Sequence, residues 1–193
     1  EKADSGRLTF AGETFDLAKI SRNNVLRIRK RTGFVFQNYN LFLNKTALEN
    51  ITEGLIVGRG IKKELAQAKA HELLARFSLT HRENAYPCEL SGGQQQRVAI
   101  ARALAGDPDI IYFDEPTSAL DPELTRDVLS ILKELAQQGL TMVVVTHELT
   151  FAKNIANKVV FMEAGHVVEA GDAQTIFGNP KELRTKEFLE TLA

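Results

Sequence analysis

Leu90-Ser91-Gly92-Gly93-Gln94-Gln95-Gln96-Arg97-Val98-Ala99-Ile100-Ala101-Arg102-Ala103-Leu104, then the turn Gly106-Asp107-Pro108-Asp109, then Ile110-Ile111-Tyr112-Phe113-Asp114-Glu115, is the stretch that decides the fold. It reads as a helix feeding a buried strand. The helix start is stripped of side-chain bulk. Two glycines let a ligand approach the backbone, and unpaired amides with the helix dipole favour an anion. Ser91 can add a hydroxyl donor. Ser91 and Gln94 equally fit a capping box, in which each satisfies the other's amide. The strand delivers two carboxylates to its C-terminal end, where open α/β sheets bind ligands. One of them can help hold Mg²⁺ while the next polarises a water. Alone, such a pair also suits a polar turn before Pro116.

Working outward, short β-branched runs alternate with helical patterns, as when parallel strands are joined by helices packed on the sheet. The expected strands are Arg7 to Phe10, Thr32 to Phe36, Ile110 to Phe113, Thr141 to Val145 and Lys158 to Met162. A hairpin at Glu163-Ala164-Gly165 returns through His166 to Ala170, with Gly165 supplying positive φ. Between the second and third strands the pattern is wholly helical. Thr46 with Glu49 makes a capping-box start, and Gly58 and Gly60 punctuate the end of that helix. Ala66, Ala70, Leu73, Leu74 and Phe77 then recur at helical spacing, one buried stripe on a second helix. The organisation expected is residues 1–45 as the first part of a core, 46–89 as a helical subdomain, and 90–193 as the remaining core.

Bulk properties narrow the function. The 24 basic and 25 acidic side chains leave a formal charge of -1, so no large field draws in a polyanion and nucleic acid is not an expected partner. The one cysteine, Cys88, forms no internal disulfide and reads as small buried filler in a reducing compartment. The longest apolar runs fall far short of the ~20 residues of a membrane-spanning helix. Any membrane role therefore comes through a partner. The chain opens on Glu1 without a signal peptide, which suggests a start inside a longer reading frame.

Taken together, these residues resemble the ATP-binding cassette family, with Leu90 to Gln94 as its signature and Ile110 to Glu115 as its Walker B strand. Gln37, after the strand Thr32 to Phe36, resembles the Q-loop glutamine. Ser118-Ala119-Leu120-Asp121 resembles the D-loop, and His147, after the strand Thr141 to Val145, the switch histidine. The resemblance implies an α/β fold, a RecA-like P-loop NTPase core with an inserted helical subdomain. It also implies ATP hydrolysis with ATP and Mg²⁺, in a homodimer that sandwiches each nucleotide between two subunits. Carried over, Ser91, Gly92, Gly93 and Gln94 contact ATP bound mainly by the partner, and Asp121 links the two sites. Asp114 helps position Mg²⁺, Glu115 is the general base, Gln37 meets metal or water, and His147 holds the γ-phosphate.

Phe34 to Phe42, Thr146 to Ala152 and Pro180 to Leu189 resemble importers of polar amino acids. That implies transmembrane permease subunits, a solute-binding protein and a peripheral place on the cytoplasmic face of the membrane. Tyr39, Leu41, Phe42 and Leu43 either receive a permease helix or anchor the helical subdomain. The departure is a missing phosphate loop: no GxxxxGK[ST] occurs, and Gly6 and Gly12 have neither its spacing nor its lysine. The expectation is an incomplete core, lacking the P-loop strand, with unpaired buried edges on Thr141 to Val145 and Lys158 to Met162 and with little activity alone. The competing readings are a soluble cassette ATPase acting on nucleic acid or ribosomes, and a non-catalytic interaction fragment.

Overall fold

A computed structural model describes residues 3–191, in two compact units, Glu1–Val145 and Thr146–Ala193. Glu1, on which the expected reading frame turned, lies outside the described residues. The first unit opens on an antiparallel hairpin of β1 (Arg7–Phe10) and β2 (Glu13–Asp16). The sequence reading does not anticipate β2, whose four residues offer one large apolar side chain, Phe15, to signal it. After α1 (Arg22–Lys30) come β3 (Thr32–Val35), α2 (Ala47–Arg59), α3 (Lys63–Arg76), α4 (Gly92–Leu104), β4 (Ile110–Asp114), α5 (Pro122–Gln137) and β5 (Thr141–Val145).

Strands β3, β4 and β5 form a parallel sheet in that order, with Val35 opposite Phe113 and Phe113 opposite Val144. Because side chains alternate across a strand, the register sorts them onto two faces. Val35, Ile111 and Phe113 are at most 1% exposed, whereas Phe34, Val143 and Val145 of the other face are 43%, 45% and 53% exposed. Crossover helices normally cover a parallel sheet on both faces. Here they bury one.

The helical segment forms as its caps dictate. Thr46 Oγ1 accepts from the Glu49 amide at 3.2 Å while Glu49 returns to the Thr46 amide at 2.8 Å. Gly60 ends α2 in the left-handed region at φ 69°, and Gly58 lies within the helix rather than at its end. The stripe Ala66, Ala70, Leu73, Leu74 and Phe77 is buried throughout. A buried polar residue outside the pattern, Asn50, donates to the carbonyls of Phe42, Lys45 and Thr46 and accepts from the Phe42 amide. It ties segment 42–46 to α2. Cys88, by contrast, is exposed and not core filler: it sits in the short turn Pro87–Glu89, whose buried member is Pro87.

In the second unit α6 (Leu149–Ile155) precedes an antiparallel hairpin of β6 (Lys158–Glu163) and β7 (His166–Asp172), then α7 (Ala173–Gly178) and α8 (Leu183–Glu190). Ala164 joins Gly165 at positive φ, 48° and 80°, as a two-residue hairpin turn requires. The buried Glu169 carboxylate accepts from the amides of Lys181 and Glu182 at 2.9 and 3.2 Å, at the start of α8. Among the described residues β5 pairs only with β4 and β6 only with β7. The expected burial there is not found, since Val160 and Met162 are also more than half exposed. No described helix is long and apolar enough to cross a membrane.

Candidate functional site at the end of β4 and the start of α4

Strand β4 ends at Asp114, half-buried and opposite Val145. The next residue, Glu115, donates its amide to the Val145 carbonyl at 2.9 Å with φ at 46°. For a residue with a Cβ this left-handed conformation costs about 1–2 kcal/mol, and such strain clusters where function demands a particular geometry. The chain then turns through buried Pro116 and Thr117, and Ser118 returns both its amide and its hydroxyl to the Glu115 carbonyl at 3.3 and 3.1 Å. Asp121 closes the turn as N-cap of α5, accepting from Glu123 and Leu124 amides at 3.1 and 2.9 Å.

At the start of α4, Ser91 Oγ accepts from the Gln94 amide at 3.3 Å and Gln94 Oε1 accepts from the Ser91 amide at 3.0 Å. The capping box is therefore formed. The glycines have an internal reason as well as the ligand-facing one: a Cβ at Gly93 would stand 2.8 Å from Leu124 Cδ2, and one at Gly92 3.0 Å from the Tyr39 hydroxyl. Gly93 thus sets how closely α5 approaches α4. Gln96, fully buried on α4, donates to the Pro116 carbonyl at 2.8 Å. It binds α4 to the turn after Glu115. Within the run Gln94-Gln95-Gln96 nothing in the sequence marks which glutamine faces inward.

Gln37 is exposed, two residues past β3, in a bend where the Tyr39 amide donates to the Phe36 carbonyl at 3.1 Å. Two residues on, the Tyr39 hydroxyl approaches the Ala119 carbonyl at 3.4 Å. The first unit therefore brings together the Gln37 segment, the start of α4 and the turn 115–121. His147 belongs to the second unit, two residues after β5; its side chain is exposed, with Nε2 3.9 Å from Glu148 Oε1. Among the described residues no cluster of three or more His, Cys, Asp or Glu side chains assembles a metal cage. The donors present, two adjacent carboxylates, suit Mg²⁺, which binds through one or two carboxylates together with waters and phosphate oxygens.

The end of β4 at Asp114 with Glu115 beyond it, the glycine start of α4 and the capped Asp121 turn thus stand in one unit, and Gln96 joins α4 to the Pro116 carbonyl. The sequence profile of one family, ABC transporter, matches residues 1–118. The chain belongs to the ABC transporter family. This ABC chain is 50% identical over 193 residues to the L-cystine transport system ATP-binding protein TcyN of Escherichia coli (strain K12), covering 98% of the chain and 77% of that protein. It is 50% identical over 199 residues to the arginine transport ATP-binding protein ArgV of Corynebacterium glutamicum, covering 100% of the chain and 78% of that protein. The ATP-binding cassette MJ0796, solved as a dimer in a post-hydrolysis state with ADP and Pi, superposes with a TM-score of 0.76 at 36% identity. That match covers 90% of this chain and 75% of the other. The ABC chain is accordingly an ABC-type ATPase with the α/β cassette fold.

Proposed function

We propose that this ABC ATPase powers import of a polar amino acid through membrane permease subunits, working as a homodimer at the cytoplasmic face of the membrane with a solute-binding protein. The observation that carries the hydrolytic part is the carboxylate pair at the end of β4, with Glu115 held at positive φ beside the Asp121 turn. The amino-acid part is supported by the cystine and arginine transport relatives, and dimerisation by the dimeric MJ0796 cassette. Phe42 and Leu43, 46% and 78% exposed beside the Gln37 bend, supply apolar surface for a permease helix.

In this reading the Gly92 and Gly93 amides, with the Ser91 hydroxyl and the Gln94 side-chain amide, face the triphosphate of ATP on the partner, while the Ser91 and Gln94 backbone amides stay in the capping box. Glu115 takes the proton of the attacking water. Gln37 meets the metal or that water, His147 supports the γ-phosphate, and Asp121 relates the two nucleotide sites. Mg²⁺, positioned with the help of Asp114, neutralises phosphate charge when bound. Residues 1–193 contain no GxxxxGK[ST] loop, so we propose that by themselves they hydrolyse little ATP. The experiment is Glu115→Gln in the full-length subunit, which keeps shape but removes the base. Hydrolysis falls roughly 10² to 10⁴-fold while ATP binding survives. Turnover close to wild type removes Glu115 from the role.

A further inference from the structure

Tyr39 occupies an unusual position. Both it and Asn40 have left-handed backbones, φ 60° and 47°, without being glycine. Two consecutive residues of this kind persist only where surrounding contacts over-determine them. Those contacts come from the signature helix: Arg102 on α4 donates through Nη1 to the Asn40 carbonyl at 2.6 Å and through Nη2 to the Tyr39 carbonyl at 2.8 Å. A planar guanidinium gripping two successive carbonyls fixes their orientation as a single-point lysine does not. Burial pushes the Arg102 pKa down, and the two carbonyls accept hydrogen bonds that water would otherwise take.

From that fixed backbone the Tyr39 side chain reaches two further elements. Its hydroxyl stands where a Cβ on Gly92 would come within 3.0 Å, and it approaches the Ala119 carbonyl at 3.4 Å. Gly92 opens α4 and Ala119 lies in the turn before α5. Burial pushes the Tyr39 pKa up, so the hydroxyl remains a donor.

We propose that Tyr39, clamped through its backbone by Arg102, is a positioning residue that holds the Gln37 bend, the glycine start of α4 and the Ser118–Asp121 turn in one register. A shift at the bend then reaches both surfaces that close on the partner's nucleotide. The inference rests on the dimer-sandwich reading above.

The test uses the full-length subunit in a Glu115→Gln background, which traps ATP. The ATP concentration for half-maximal dimerisation is measured beside Mg-ATP affinity of the dilute monomer. Tyr39→Gly removes the ring while relieving the left-handed backbone, since glycine adopts that conformation freely. It therefore separates the side chain from folding damage. Tyr39→Gly is expected to raise the ATP needed for dimerisation about tenfold, with monomer affinity within twofold and melting temperature not lowered. Tyr39→Phe, which keeps the ring against Gly92, restores dimerisation to within about threefold of the Tyr39 parent. Dimerisation unchanged in Tyr39→Gly, or lost in proportion to monomer affinity, overturns the proposal. If the Glu115→Gln parent itself fails to dimerise with ATP, the sandwich reading fails first and takes this inference with it.

Discussion

The two faces of the β3–β4–β5 sheet differ sharply in how far they are covered. On one, Ile111 and Phe113 are sealed; on the other, Phe34, Val143 and Val145 stand 43–53% exposed although their composition is equally apolar. Phe34 compensates in part by stacking, its ring 4.4 Å from Phe36 and 6.1 Å from Tyr112. The difference teaches that apolar patterning records the cover a strand is suited to, and that a parallel sheet is suited to cover on both sides. Stability within the first unit therefore resides on the sealed face and in the helices beyond it.

That contrast can be broken directly. Phe113→Ala, with the side chain 1% exposed, should cost about 3–5 kcal/mol in a denaturant titration, and the equivalent Phe34→Ala under about 1 kcal/mol. Equal costs would mean that the exposed face is as well packed in solution as the sealed one. A smaller effect sharpens the picture of the helical segment. Thr46→Ala removes one half of the α2 capping box and should lower stability by about 1 kcal/mol, read as a shift in denaturant midpoint at constant slope.

The smallest effect belongs to the second unit, where charge does what burial does in the first. The Glu169 carboxylate is held below the usual glutamate range, chiefly by the hydrogen bond from the Lys181 amide, and Glu163 likewise by Arg184. A carboxylate with a depressed folded pKa contributes stability that is present above its unfolded value and is lost as pH falls through the folded one. Docking of α8 should therefore hold at neutral pH and loosen only as pH falls below the usual glutamate range. Amide exchange at Lys181 and Glu182 reads this; it should accelerate there before the α2 and α3 amides respond. Glu169→Gln should abolish most of that pH dependence.

What was legible in the sequence was local. Both capping boxes follow from residues three apart, the α3 stripe from helical spacing, and the order of strands from alternating patterns. What was not legible depends on distant partners. Glu115 takes positive φ with its amide on Val145, thirty residues away in sequence. Tyr39 is fixed by Arg102, and Gly93 is small because of Leu124. Cys88 is exposed because its turn buries Pro87 instead, a choice no periodicity announces over three residues. The residue types at the candidate site could be read from motif order; their mutual bracing could not.

The reciprocal Ser91–Gln94 box has a thermodynamic consequence. Both side chains are already committed to each other's backbone, so under the proposed function an arriving phosphate meets the Gly92 and Gly93 amides in an orientation set when the chain folded. Little rotational freedom remains to be lost on contact. Affinity changes at this surface should then follow the positions of α4 and the Asp121 turn as rigid bodies, and the temperature dependence of the encounter should report desolvation of the amides rather than ordering of side chains.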